Sequence, residues 1–263
     1  MYSFELKKAD SVANAAALLS QTRGKALAGG QSLVAAMKLR LAQPGTLVDL
    51  SHVPELKGIR KEGEHLVIGA MTRHAEVASS KDVQAAIPSL AALAEGIGDR
   101  QVRNMGTIGG SIANNDPAAD YPAAVVALNA TVNTNKRKIA ADDFFKGLYE
   151  TALGEDEIIT SVSFPIPKKA AYVKFPQPAS RFALVGVFVA QTASGVRVAV
   201  TGAGPSVFRA KALEDALAKT FNADAAKAVK NGAAGLNTDI HGSAEYRAHL
   251  ISVLAARAVA SAG

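Results

Sequence analysis

The stretch KALAGGQSLVAAM, residues 25–37, places two adjacent glycines, an amide and a hydroxyl between two apolar segments. Residues 25–28 predict a short strand, and the helical spacing of apolar residues across 33–41 predicts a helix that ends before Pro44. The β-branched, apolar run at 46–50 predicts the next strand. Preceded by an amphipathic helix, these elements predict a small β-α-β unit with parallel strands.

The loop at the centre of this stretch, AGGQS at residues 28–32, has two interpretations. Glycine permits backbone conformations and close approaches that a Cβ would block. Successive exposed N–H groups, with the positive end of a helix that starts near Ser32, would suit a phosphate or a diphosphate. The other interpretation is a plain strand-to-helix turn, which a single Gly-Gly pair favours on its own.

A second segment of the same kind, TIGGSIANNDPAAD, occupies residues 107–120. Two Gly-Gly-hydroxyl loops could grip one long anionic ligand from both sides, such as the diphosphate of a dinucleotide. Neither loop has the spacing of the Rossmann fingerprint or of the P-loop. Asp116 and Pro117 predict a helix start with Asp116 as its cap. Asp120 either accepts hydrogen bonds from a ribose or caps a helix that begins at Pro122.

The middle of the chain mixes predicted strands and helices, which is typical of an α+β layer. We predict a hairpin around the turn at 61–64, a helix capped by Thr72 and a helix opened by Pro88. Two further strands are predicted at 130–134 and 157–164.

The stretch PIPKK, residues 165–169, is the best candidate for a linker, because proline fixes φ and removes a backbone donor. Beyond it, two strands that form a hairpin and then three helices predict a second, smaller α+β unit. The strands are predicted at 182–192 and 196–202, and the helices at 208–219, 223–229 and 245–260. The predicted domains are 1–167, with subdomains of about 1–55 and 56–167, and 168–263.

Composition excludes several classes of protein. The chain has no cysteine, which excludes disulfides, thiolate nucleophiles and an iron–sulfur cluster ligated by this chain. The five histidines lack metal-ligand spacing, so we expect no protein-bound metal. No apolar run approaches the roughly 20 residues that a membrane helix needs. Without an apolar secretory signal at its start, the chain is expected in the cytoplasm.

The net charge of +6 raises the alternative of a nucleic-acid-binding module. The densest basic run, residues 135–138, falls where a hairpin turn is expected, and no aromatic residues alternate with it to stack on bases. We therefore expect no nucleic acid partner. His74 is interpreted as a helix-surface residue rather than a base. The acidic residues at 142–143 and 155–157 are interpreted as helix-start or turn residues.

The combination of AGGQSL at 28–33, TIGGSIANNDPAAD at 107–120 and EIITSVSFPIP at 157–167 resembles the flavoprotein (medium) subunit of molybdenum-containing hydroxylases. That family includes aerobic carbon monoxide dehydrogenase and xanthine dehydrogenase relatives, and the similarity runs over essentially the whole chain. It implies an α+β fold that binds FAD non-covalently between two N-terminal subdomains of the vanillyl-alcohol oxidase-like (PCMH) type. A smaller C-terminal α+β domain, an antiparallel sheet plus helices similar to the carbon monoxide dehydrogenase flavoprotein, would cover part of the cofactor.

The resemblance also implies which residues hold FAD in the two loops. The first loop would line the diphosphate, with Lys25 and Leu33 at its edges. Its members are Ala28, Gly29, Gly30, Gln31 and Ser32. The second loop would consist of Thr107, Ile108, Gly109, Gly110 and Ser111.

Outside the loops, the resemblance implies four single contacts with the cofactor. Asn114 would lie near the adenosine, and Asp120 would bond ribitol or ribose hydroxyls. Ile159 would contact FAD through its backbone, and Lys174 would lie near the isoalloxazine. Residues 175–182, FPQPASRF, depart from the basic, acid-containing segment of many relatives, so the flavin-ring environment and the electron acceptor are not implied. No catalytic residue of this chain is implied.

In this family a molybdenum subunit oxidises the substrate and an iron–sulfur subunit relays single electrons to the flavin subunit, which passes them to an external acceptor. The absence of cysteine fits this division of labour, because the flavin does the redox chemistry and the protein positions it. The implied partners are an iron–sulfur small subunit and a molybdopterin large subunit, as a dimer of heterotrimers. The alternative is a self-sufficient FAD-dependent oxidoreductase of similar fold, which should show a catalytic acid or base near the flavin.

Overall fold

The structure, a computed structural model, describes residues 1–262. The chain opens with β1 (Glu5–Lys8), α1 (Val12–Thr22), β2 (Lys25–Leu27), α2 (Leu33–Lys38) and β3 (Thr46–Asp49). Both β1 and β2 pair with β3 in parallel, which gives a three-stranded sheet with the order β1-β3-β2. Helix α1 begins after Ser11, whose Oγ accepts a hydrogen bond from the Asn14 N–H at 3.2 Å. The predicted parallel unit is confirmed, and β1 is an additional edge strand.

A second unit follows, in which short helices alternate with strands. In chain order its elements are β4 (Ile59–Glu62), β5 (His65–Gly69), α3 (His74–Ser79), α4 (Lys81–Ala86), α5 (Pro88–Glu95), α6 (Arg100–Met105), α7 (Ile108–Asn114), α8 (Tyr121–Ala127), β6 (Thr131–Thr134), β7 (Lys138–Ala140), α9 (Ala141–Phe144), β8 (Phe145–Gly147), β9 (Glu150–Thr151) and β10 (Ile159–Pro165). Five of the strands form a sheet with the order β4-β5-β10-β6-β7, and β8 pairs with β9 alone.

The core of this unit lies between the five-stranded sheet and its helices. Strand β10 runs antiparallel between β5 and β6, so Phe164 and Val162 are completely buried. Every residue of α8 is buried, from Tyr121 onward. Because α8 is covered on all sides, its N-terminal boundary is held in a fixed place, and the segment before it lines the site described below.

Two predicted helix starts in this unit are wrong. Helix α3 begins at His74, and Thr72 is not its cap. The carboxylate of Glu76 accepts the Arg73 N–H at the start of the helix. The Thr72 hydroxyl donates to the carbonyl of Gly58 instead. Asp116 closes a turn by accepting the Ala118 N–H at 2.9 Å, and the next helix is α8. The predicted hairpins around residues 61–64 and 135–138 are confirmed.

The C-terminal unit begins after a short connection at 166–168, inside the predicted linker. Its elements are β11 (Lys169–Pro176), β12 (Ala183–Thr192), β13 (Gly195–Thr201), β14 (Phe208–Arg209), α10 (Lys211–Lys219), α11 (Ala223–Ala228) and α12 (Ala244–Ser261). The four strands form an antiparallel sheet in sequential order. The predicted hairpin of β12 and β13 is confirmed, whereas β11 and β14 were not predicted as strands.

The C-terminal sheet packs on both faces. Helix α12 contacts β11 and β12, while α8 of the preceding unit contacts β12 and β13. This double coverage explains why the first eight residues of β12 are buried in succession. Within residues 1–262, none of the helices combines the length and the apolarity that a bilayer crossing requires.

Candidate functional site

A cleft of about 630 Å³ lies where the three units meet, a size typical of small-molecule and cofactor sites. Both Gly-Gly loops line it, together with the turn at 97–98, residues 153–159 and the segment 180–182 of the C-terminal unit. The cleft therefore collects residues that lie far apart in the sequence.

The AGGQS loop connects β2 to α2 along one wall of the cleft. Gly30 has φ +71°, a left-handed conformation that favours glycine. A Cβ at Gly29 would overlap the carbonyl oxygen of Met105, so this glycine allows the first loop to touch the residues that lead into the second. Within residues 1–262, no backbone N–H of residues 28–32 donates to a protein acceptor. The first loop thus presents free donors along the cleft wall.

The 107–111 loop differs, because the protein already uses its N–H groups. The Thr107 hydroxyl caps α7 by accepting the Gly110 N–H at 3.1 Å, and the Ser111 N–H donates to the carbonyl of Thr107. The Ile108 N–H donates to the Thr72 carbonyl at 3.1 Å. This loop is therefore a fixed wall, whereas the AGGQS loop supplies the free backbone donors.

A third segment, residues 70–74, holds the second loop in place and was not identified from the sequence. The Gly109 N–H donates to the Ala70 carbonyl at 2.8 Å, and the His74 N–H donates to the Gly106 carbonyl at 3.0 Å. Arg73 and Thr107 form an isolated antiparallel bridge between these contacts. The segment follows directly on β5 and has no motif of its own. Its role becomes visible only from its contacts with the distant residues 106–109.

Asp120 also lines the cleft, with 4% of its surface exposed. Its Oδ1 accepts the Tyr172 hydroxyl at 2.5 Å, and the Lys174 ammonium lies 3.0 Å from the same oxygen. Lys174 also donates to the Gly96 carbonyl at 2.9 Å. Burial raises the pKa of Asp120, while Lys174 and Tyr172 act in the opposite direction. Asp120 occupies the N-cap position of α8, as the cap interpretation predicts, but its carboxylate makes no capping hydrogen bond and is bound by Tyr172 and Lys174 instead.

Most of the residues implied by the resemblance line this one cleft. They are Lys25, Ala28, Gly29, Gly30, Gln31, Ser32, Leu33, Thr107, Gly109, Gly110, Ser111, Asn114, Asp120 and Ile159. The two others lie just outside it. Ile108 is completely buried in the core, and Lys174 reaches the cleft through its contacts with Asp120.

His74 also lines the cleft, and its predicted position on a helix surface is wrong. Only 5% of the residue is exposed, and its ring centroid lies 5.3 Å from that of Tyr121. Burial, followed by the charge of Arg103, lowers the pKa of His74 to about 4, so the imidazole is neutral at pH 7. Sequence reasoning failed here because the burial of His74 comes from distant elements: α3 packs against α5 and α6, and Tyr121 of α8 lies beside the ring.

The acidic residues at 142–143 and 155–157 lie in the first turn of α9 and around the turn before β10, as predicted, and Glu155 and Glu157 also line the cleft. Asp142 pairs with Arg197 and Arg209, and Glu157 pairs with Arg137. In the part of the chain that the structure describes, no group of three or more His, Cys, Asp or Glu side chains could hold a metal ion.

Comparison with protein families identifies the two parts of the chain. Residues 2–167 match the FAD binding domain in molybdopterin dehydrogenase, and residues 170–262 match the CO dehydrogenase flavoprotein C-terminal domain. The chain belongs to the FAD-binding medium subunits of the molybdenum hydroxylases.

Similar molybdenum hydroxylase subunits align with it from end to end. The carbon monoxide dehydrogenase medium chain of Hydrogenophaga pseudoflava is 38% identical, and the alignment covers 98% of this chain and 96% of that one. The nicotine 6-hydroxylase medium subunit of Paenarthrobacter nicotinovorans is also 38% identical, with 96% and 95% covered. A solved structure of the H. pseudoflava carbon monoxide dehydrogenase, in a form that lacks the Mo-pyranopterin moiety, superposes with a TM-score of 0.89 at 38% identity, covering 99% and 97%.

The cofactor of this molybdenum hydroxylase subunit is FAD, and the cleft fits it. The free N–H groups at 28–32 suit a diphosphate, and the buried Asp120 suits the hydroxyls of a polyol or a sugar. Its walls also include apolar side chains such as Ile97, Val102 and Phe182, as a planar ring system requires. Relatives named as medium chains or complex subunits show that such proteins act within multi-subunit assemblies.

Proposed function

We propose that this chain is the FAD-bearing electron-transfer subunit of a cytoplasmic molybdenum hydroxylase. It accepts electrons from an iron–sulfur small subunit and passes them to an external acceptor, while a molybdopterin large subunit oxidises the substrate. The three chains assemble as a dimer of heterotrimers. One observation carries the proposal: the free donors of residues 28–32 and the buried Asp120 face the same cleft. When bound, FAD supplies the capacity to take up two electrons and release them.

Different residues of the cleft bind different parts of FAD. In this proposal, the N–H groups of the AGGQS loop bind the diphosphate, with Lys25 and Leu33 at its edges. The 107–111 loop forms the wall that fixes the first loop, and Asn114 contacts the adenosine. Asp120 accepts hydrogen bonds from the ribitol or ribose hydroxyls.

The isoalloxazine end of the site belongs to both domains in this proposal. Ile159 contacts FAD through its backbone, and Lys174 lies near the isoalloxazine while it pairs with Asp120. The FAD-binding domain spans 1–167, with subdomains of about 1–55 and 56–167. The domain at 168–263 completes the site through Lys174 and the cleft-lining segment 180–182.

The buried titratable side chains that line the cleft are not arranged as a general acid or base for a substrate. His74 is neutral and buried, and Asp120 is already paired with Lys174 and Tyr172. This arrangement supports electron transfer rather than self-sufficient substrate oxidation, because the latter requires a proton donor or acceptor beside the reacting carbon.

The test is reconstitution of the purified full-length chain with FAD. We expect one FAD per chain by visible absorbance, chemical reduction of the bound flavin by dithionite, and no reduction by aldehydes, purines or carbon monoxide. Addition of a reduced iron–sulfur subunit should reduce the flavin. A chain that takes up no FAD would overturn the proposal, and flavin reduction by one of these substrates in the isolated chain would favour the self-sufficient enzyme.

A further inference from the structure

His74 occupies an unusual place between the cleft and the core. It is the first residue of α3, its N–H donates to the Gly106 carbonyl, and it lines the same cleft as the two Gly-Gly loops. Its Nδ1 is buried without a hydrogen-bond partner within residues 1–262. A buried polar atom of this kind is costly, so a structural role for the ring alone does not account for the choice of histidine.

Gly106 links His74 to the AGGQS loop. A Cβ on Gly106 would lie only 2.5 Å from Nε2 of His74, so the imidazole packs directly on the Gly106 backbone. From the AGGQS loop, a Cβ on Gly29 would lie 2.8 Å from the Gly106 Cα, so Gly29 also packs on this backbone. The contacts run from His74 through Gly106 to Gly29. Any displacement of the ring therefore acts on both loops.

The groups that face His74 oppose a charge on its ring. Arg103 of α6 is 8% exposed and donates to the carbonyls of Ile97 and Gly98 and to Glu95 of α5. Tyr121 of α8 is completely buried beside the ring. The charged residues of α4, at positions 81 and 82, are exposed. A protonated imidazole would therefore be a buried cation close to the charge of Arg103, whose own carboxylate partner is Glu95.

We infer that His74 is a positioning residue for FAD. Its neutral ring holds the Gly106 turn, and with it the 107–111 wall, against the AGGQS loop, and protonation of the ring opens this wall and speeds the release of FAD. The inference rests on the proposed cofactor cleft. Since Asp120 lies in the same cleft and can also be protonated, the contribution of His74 is defined as the part of the pH dependence that disappears with the imidazole.

The experiment measures the rate of FAD release from the full-length chain between pH 7.5 and pH 5, as the rise in flavin fluorescence after dilution. The pKa of His74 is lowered from 6.5 to about 4, so the open state gains from protonation below pH 6.5, and release should accelerate by up to about tenfold per pH unit. In His74→Phe a phenyl ring that cannot be protonated replaces the imidazole. The acceleration of FAD release with falling pH should therefore be largely lost.

Two further variants make the result decisive. His65→Phe removes an exposed histidine at the start of β5, outside the cleft, and should retain the wild-type pH dependence. His74→Gln also lacks a titratable ring and gives a second reading if circular dichroism shows that His74→Phe is misfolded. A wild-type slope in either folded His74 variant would overturn the role of His74. A wild-type chain that binds no FAD would instead overturn the proposed cleft.

Discussion

The hydroxyl of Tyr172 donates to Oδ1 of Asp120 at 2.5 Å and so joins β11 of the C-terminal unit to the residue that precedes α8. Burial and the charge of Asp120 raise the pKa of Tyr172 well above 10, so the phenol stays protonated and remains a donor. A Cβ on Gly186, which pairs with Lys174 across β11 and β12, would overlap this hydroxyl. The side chains that fix the orientation of Asp120 therefore come from the C-terminal unit.

Replacing Tyr172 by phenylalanine should weaken FAD binding. The change removes a hydrogen bond to a buried carboxylate, and bonds to charged groups contribute about 1.5–3 kcal/mol. We expect the Kd for FAD to rise by about tenfold or more, measured by quenching of flavin fluorescence. Tyr246→Phe is the matched control, since Tyr246 is 42% exposed on α12. Equal affinities of the two variants would contradict the role given to Tyr172.

A methyl group at Gly29 should separate the two loops. Because the added Cβ would overlap the Met105 carbonyl, Gly29→Ala should lower FAD occupancy by at least about tenfold and reduce the free energy of unfolding by about 1–3 kcal/mol. Gly45→Ala is the control, as no atom lies within 4 Å of its added Cβ and its φ is not in the left-handed range. Flavin absorbance and urea unfolding measure both effects. Full FAD content in Gly29→Ala would show that contact between the loops does not shape the site.

The adjacent residues Asn114 and Asn115 should separate binding from stability. Asn115 is completely buried, has φ 43° and donates through Nδ2 to the carbonyls of Gly147 and Glu150. Asn115→Ala should therefore cost about 2–4 kcal/mol of unfolding free energy, from two lost bonds and a less tolerant backbone. Asn114 lines the cleft and makes no side-chain hydrogen bond within residues 1–262, so Asn114→Ala should change FAD affinity and leave the unfolding midpoint nearly unchanged. The reverse pattern would exclude Asn114 from the site.

The ion pair of Glu157 with Arg137 should make stability depend on acidity. Hydrogen bonding from Arg137 lowers the pKa of Glu157 from 4.5 to about 2, against the effect of burial. Its contribution is therefore complete above pH 4.5 and declines as the pH falls from 4.5 toward 2. Glu157→Gln should be less stable than the wild type at pH 6, and the difference should shrink by pH 2.5. Urea unfolding at both values tests this, and a constant difference would contradict the predicted pH dependence.

The sequence predicted the elements that are determined by local residue patterns. The β-α-β unit around AGGQS, the hairpin of β12 and β13 and the helix that Pro88 opens were all predicted, because each has its own periodicity and turn residues. Strand β1, ELKK, was missed because it has no buried residue and gains its partner only from β3. Strand β11 was missed because it follows directly on the predicted linker.

The residues that line the site could be predicted from the sequence, but the hydrogen bonds between its segments could not. The motifs and the family resemblance brought together residues that do line one cleft. They did not reveal that the 107–111 loop uses its own N–H groups, or that residues 70–74 hold it. The contacts between residues 70–74 and this loop connect positions more than 30 residues apart, and neither partner carries a sequence signal for the other. His74 was misplaced for the same reason.

The connection between Asp120 and β11 also has a consequence for the order of events during synthesis. On the ribosome, the AGGQS loop and Asp120 emerge well before Lys174, and β11 pairs only once β12 has also emerged, up to residue 192. At roughly 5–20 residues per second, that interval lasts roughly 4–14 s after Asp120. During this interval Asp120 lacks its ordered contact with Lys174, and the cleft lacks the wall that residues 180–182 supply. We therefore expect chains that terminate before residue 192 to lack the ordered contacts that orient Asp120 and to bind FAD more weakly.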